Sequence, residues 1–98
     1  MARIEEEIES ELLLAEPTKY KVLLHNDDYS TMDFVVDILV HVFRKNIDQA
    51  EDIMIAIHKS GRAVCGIYTF EIAETKVYQV KELAKNNGFP LLATMEEV

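Results

Sequence analysis

The sequence predicts an α+β fold, a compact domain of order β-α-α-β-α-β in which a three-stranded sheet carries three helices on one face, preceded by a mobile N-terminal extension. Three observations predict it. Segments with apolar residues at helical spacing alternate with short runs rich in β-branched and aromatic residues. Of the 98 residues, 49% are hydrophobic and 29% charged, enough for one modest core and outside the composition that stays disordered. The charge changes abruptly along the chain. Residues 1–16 hold six glutamates and one arginine, which accounts for −5 of the total −8.

In chain order, residues 1–16 read as a flexible acidic extension and residues 17–98 as the folded domain. Within the extension Ile4, Ile8, Leu12, Leu13 and Leu14 can share one helical face, but Glu5, Glu6, Glu7, Glu9 and Glu11 crowd the rest. After Pro17, Tyr20 to His25 is a strand in which Tyr20, Val22 and Leu24 alternate with Lys19, Lys21 and Leu23, stopping at Asn26-Asp27-Asp28. Ser30 with Asp33 fits a capping-box-like helix start, and Met32, Val35, Val36, Leu39, Val40 and Phe43 make the apolar stripe of the first helix. Asp48 with Glu51 repeats the capping pattern for a second helix near 48–59, which Gly61 closes in a left-handed conformation. Ala63 to Phe70 is a buried strand that includes Cys65. Glu71 to Asn86 is the third helix, with Ala73, Val77, Val80, Leu83 and Ala84 on its inner face and Asn87-Gly88 as its stop. Leu91 to Met95 completes the sheet.

Composition excludes several functions. No apolar run nears the roughly 18 residues of a membrane span, and glutamates stand where a secretory signal would place its apolar core, so a cytoplasmic protein with no membrane partner is expected. The acidic balance argues against nucleic acid, whose binders cluster Lys and Arg. One cysteine allows no internal disulfide and no CxxC motif. The histidines His25, His41 and His58 lie on separate elements without HExxH spacing, and there is no GxSxG or glycine-rich phosphate loop. No catalytic residue, metal or cofactor is expected.

The segment Asn26-Asp27-Asp28-Tyr29-Ser30 stands out, because two carboxylates and an amide gather beside an apolar stripe that begins at Met32. As plain sequence it is an Asx turn with Ser30 as N-cap. Here YKVLLHNDDYSTMDFVV, then IMIAIHKSGRAVCGIYTFEIAETKV, then GFPLLATMEE resemble the ClpS adaptor family, in the same order, over roughly residues 17–97. The resemblance implies a monomeric adaptor and no enzyme. It would bind the free N-terminal amino group and the bulky first residue (Leu, Phe, Tyr or Trp) of N-degron proteins, and deliver them to a Clp AAA+ unfoldase coupled to the ClpP protease.

By the same resemblance, Asn26, Asp27 and His58 hold the α-ammonium, a cation with three donors for which an amide oxygen, a carboxylate and a neutral imidazole nitrogen are matching acceptors. Leu24, Ser30, Met32, Val35, Val36, Met54, Ile57 and Leu91 would form the hydrophobic pocket, with Met32 as a gate against β-branched side chains. Glu71 and Lys76 would dock on the N-terminal domain of a ClpA-like or ClpC-like unfoldase, which would engage residues 1–16 during hand-off. The chain departs from the family at Ser30, where Thr is common, at Thr31, where Pro is common, and at His25, where an aliphatic residue is common. His25 is expected on the opposite side of its strand from the site. The element order also resembles the C-terminal domain of the bacterial ribosomal stalk protein, which lacks the NDDY loop and its partner histidine. A small hydrolase using Asp27 and His58 as an acid/base pair is a third reading.

Overall fold

A computed structural model describes residues 17–98; the expected extension, residues 1–16, lies outside the described residues. The elements are β1 (Lys19–His25), α1 (Met32–His41), α2 (Ile47–Ser60), β2 (Arg62–Thr69), α3 (Phe70–Asn87) and β3 (Leu92–Glu97). They follow the expected order. β1 is the middle strand of an antiparallel sheet of order β2-β1-β3.

The helices bury their stripes against one face of this sheet. Val22 and Leu24 of β1, Val35, Ile38 and Leu39 of α1, Ala50 and Ile57 of α2, Cys65 of β2 and Ala73, Val80 and Ala84 of α3 form one buried cluster. Leu23 departs from the expected alternation, because it too is buried, on the sheet's other face. There the flanking strands set Val64 and Thr94 on either side of it. Between Val22 and Leu23 the pairing with β2 shifts, so that Cys65 is the extra residue of a bulge. Burial pushes the Cys65 thiol up to about 12, as suits an inert core group.

The helix starts correct two expectations. Thr31, not Ser30, caps α1, its Oγ1 accepting from Phe34 N–H at 3.1 Å. Ser30 is drawn off by the stronger acceptor Asp27. Asn46 with Gln49, not Asp48 with Glu51, makes the reciprocal capping box of α2, at 2.8 and 3.2 Å. Asp48 instead places its charge in the first turn, where the helix dipole favours it. α1 also stops at His41, and Val42 and Phe43 enter the core from the turn that follows. Gly61 and Gly88 end α2 and α3 at φ 87° and 75°, as Gly61 was expected to do.

One cation joins the helical layer. Lys76 Nζ on α3 donates to the Val42 carbonyl at 2.7 Å, where α1 ends and its dipole is negative, and lies 5.7 Å from the centre of the Tyr68 ring. The Tyr68 ring in turn lies over Gly66, where a Cβ would collide with it. Lys76→Met keeps the aliphatic stem and removes the charge, leaving that carbonyl without its partner. The expected cost is about 1 kcal/mol, a fall in melting temperature of roughly 4–8 °C in a calorimetric scan, whereas Glu71→Gln, which removes only an exposed first-turn charge from α3, should lower it by less.

Candidate functional site

The site forms where β1 ends and α2 ends. Both chain segments arrive at one place because His25 pairs with Arg62 across the β1–β2 ladder. Gly61, left-handed, turns the chain from α2 into β2, and its carbonyl accepts from Asn26 N–H at 2.8 Å. That bond holds the loop after β1 against the last turn of α2, which carries His58.

The loop itself is organised by one carboxylate. Asp27 Oδ1 accepts from Tyr29 N–H at 2.8 Å and from Ser30 N–H at 2.6 Å, and Oδ2 accepts from the Ser30 hydroxyl at 2.7 Å. This is an Asx turn in its geometry. Partial burial pulls the Asp27 carboxyl upward, but the three hydrogen bonds outweigh it and hold the pKa below the ordinary aspartate value. Two oxygens offer about four acceptor positions. Three are occupied by the loop, so Oδ2 keeps one for a further donor.

Next to the loop is a cavity of about 260 Å³ lined by Asn26, Asp27, Asp28, Ser30, Met32, Val35, Met54, Ile57 and His58. Its groups divide by chemistry. Amide, carboxylate and imidazole come from the β1–α1 loop and the end of α2; the apolar side chains come from the facing sides of α1 and α2. Val35 and Ile57 are also members of the buried core, so the cavity wall is continuous with the core. All three residues expected to hold an ammonium and five of those expected in the pocket are thus neighbours.

Three further expected pocket residues are not among those lining this cavity. Leu24 and Leu91 are buried in the core. Val36 lines an adjoining groove with Met32, Asp33, Asp37, Glu51, Met54 and Ile55. The resemblance supplied these three positions; Leu24 lies on β1, Val36 on α1 and Leu91 just before β3. Asp28, the second carboxylate of the loop that stands out in the sequence, also lines the cavity, although the resemblance assigns it no role. His25 lies on the sheet's other face, with Nε2 2.7 Å from Thr94 Oγ1, as its alternation predicts. Glu71 and Lys76 are on α3, outside the cavity lining; Glu71 is exposed, whereas the Lys76 ammonium already has its intramolecular partner. Among the described residues no helix is long and apolar enough to cross a membrane, and no cluster of three His, Cys, Asp or Glu groups is placed to hold a metal ion.

Known proteins are similar to this chain in sequence and in fold. The family described as ATP-dependent Clp protease adaptor protein ClpS matches residues 15–94. An ATP-dependent Clp protease adapter protein ClpS from Wolinella succinogenes is 56% identical over 93 residues, covering 95% of this chain and 91% of that one. Another from Shewanella piezotolerans is 55% identical over 94 residues, covering 96% and 90%. The structure of Agrobacterium tumefaciens ClpS2 bound to L-phenylalaninamide superposes with a TM-score of 0.82 at 41% identity, over 85% of this chain and all of that one. A match that spans the loop, the cavity wall and the strands around them, at such identity, makes the chain a member of the ClpS family of Clp protease adaptors.

Proposed function

We propose that this chain captures proteins by their free N-terminus and a bulky hydrophobic first residue, Leu, Phe, Tyr or Trp, and delivers them to a Clp AAA+ unfoldase and its protease. The observation that carries the reading is the division of the cavity, with acceptors Asn26, Asp27 and His58 at one end and Met32, Val35, Met54 and Ile57 beside them. An α-ammonium brings three donors and a charge to the acceptors, while its side chain enters the apolar part. At about 260 Å³ the cavity is smaller than the ~300–1,000 Å³ sites of drug-sized ligands, a size that suits one amino-acid side chain. The ligand of the Agrobacterium tumefaciens relative supports the reading, because L-phenylalaninamide has the free α-amine, benzyl group and uncharged carbonyl of an N-terminal phenylalanine. Catalysis has no part in this reading: the protein offers a site and a hand-off, with Glu71, Lys76 and residues 1–16 serving the unfoldase.

Fluorescence anisotropy with labelled peptides that differ only at the first residue tests it. Peptides beginning with free Leu or Phe should bind, and the N-acetylated Leu peptide, which has lost its charge and most of its donors, should not. Asp27→Ala should weaken the Leu peptide by about ten- to a hundredfold, the range of one hydrogen bond to a charged group. Ser30→Ala, which removes one bond to the carboxylate and leaves its charge, should cost at most about fivefold. Equal binding of free and acetylated peptides would overturn the proposal.

Met32 is half exposed where the cavity opens toward the adjoining groove. Its unbranched thioether can fit around a ring or an isobutyl group and crowds a branched Cβ. Met32→Ala should therefore admit Ile- and Val-initiated peptides in the same titrations, where the wild type excludes them.

The pH dependence has a sign on each side. Binding should fall as pH rises through about 7.7 to 8.0, where the peptide's α-amine loses its proton. The folded pKa of Asp27 is depressed, so its contribution to stability is present above the ordinary aspartate value and is lost as pH falls through the folded value. Melting temperatures of the wild type and Asp27→Asn should then differ by a constant amount near neutrality and converge only below about pH 4.

A further inference from the structure

The sheet has a second face that no helix among the described residues covers. Cross-strand partners share a face, so Lys19, Lys21, Leu23 and His25 of β1 stand with Arg62, Val64 and Ile67 of β2 and Leu92, Thr94 and Glu96 of β3, opposite Val22 and Leu24. Its centre is apolar. Leu23 is buried, and around it Val64, Ile67 and Leu92 are 42%, 57% and 55% exposed. Its charge is the reverse of the chain's. Lys19, Lys21 and Arg62 outnumber Glu96, whose carboxylate is shared with Lys21 at 3.7 Å and Arg62 at 3.3 Å, so the face is positive on a chain of net charge −8.

We propose that the chain's own residues 1–16 dock on this face, setting Ile4, Ile8 and Leu12 against Val64, Ile67 and Leu92 and their glutamates against Lys19, Lys21 and Arg62. Three features of the segment fit. Ile4, Ile8 and Leu12 recur every fourth residue, the spacing of one helix face. The segment's net charge of −5 is opposite to that of the face. Its place in the chain also suits, because residue 16 is followed directly by Pro17, Thr18 and the first residue of the central strand.

Covalent attachment supplies an effective concentration on the order of millimolar, so a contact too weak to survive between separate molecules is populated within one chain. Docking of this kind hides the extension's apolar residues from other proteins until a competing surface draws it away.

A nitroxide at Glu9→Cys in the full chain tests the proposal. Cys65 is buried, so labelling is confined to position 9. In proton–nitrogen correlation spectra the amides of Val64, Ile67 and Leu92 should lose more than half their intensity relative to the reduced label, and those of α2 should keep theirs. Ile67→Glu, and separately Lys21→Glu, should each restore the lost intensity while leaving the dispersion of the core resonances unchanged. Three outcomes would overturn it: no loss at β2 and β3, loss spread equally over both faces, or loss that appears between labelled and unlabelled molecules in a mixed sample. The last would mean that the face receives a second copy.

Discussion

The hydrogen bond from Asn26 N–H to the Gly61 carbonyl is the contact on which the site depends, and it exists because two chain reversals coincide. β1 and β2 are antiparallel with His25 opposite Arg62, so the loop leaving β1 and the turn entering β2 meet at the same end of the sheet. Gly61 can place its carbonyl there because it holds φ at 87°, a conformation that L side chains rarely adopt. With that bond made, the last turn of α2 and the loop are fixed relative to each other. His58 and Asp27, 31 positions apart in the chain, then face one cavity.

Within the loop, structure and ligand chemistry use the same carboxylate. Asp27 gathers three donors from Tyr29 and Ser30, which shapes the turn and keeps the group ionised, and a spare acceptor position remains on Oδ2. The plain reading as a capped turn and the reading as an ammonium site are therefore compatible. A turn that holds its carboxylate charged and rigid is already organised for a cation, so little ordering is left to be done on binding. Val35 and Ile57 belong both to the core and to the cavity wall, which extends the core to an opening that an incoming side chain can complete.

Two further surfaces lie away from the cavity. α3 lies outside the cavity lining, and Lys76 ties it to the end of α1 through the Val42 carbonyl. A residue that resemblance assigns to docking thus also stabilises the helical layer, and any change there acts on both. On the sheet's other side, the cations and half-exposed aliphatic side chains form a surface whose sign is opposite to that of the acidic segment joined to it.

Sequence by itself determined the element order, the apolar stripes of the helices and the left-handed stop at Gly61, because these follow from local periodicity and backbone conformation, whereas the antiparallel pairing of the strands came from the structure. It also marked the Asn26–Ser30 loop as unusual, and the resemblance supplied His58, which periodicity on an exposed helix end could not. The caps moved by one or two residues, since Ser30 and Thr31, or Asn46 and Asp48, are nearly equivalent candidates until a neighbour such as Asp27 claims one of them. The burial of Leu23, the anchoring of Lys76 and the depth of Leu24 and Leu91 in the core required the tertiary structure. Each of these depends on what stands across a strand or beyond a helix end, and that is decided by packing between segments distant in the chain.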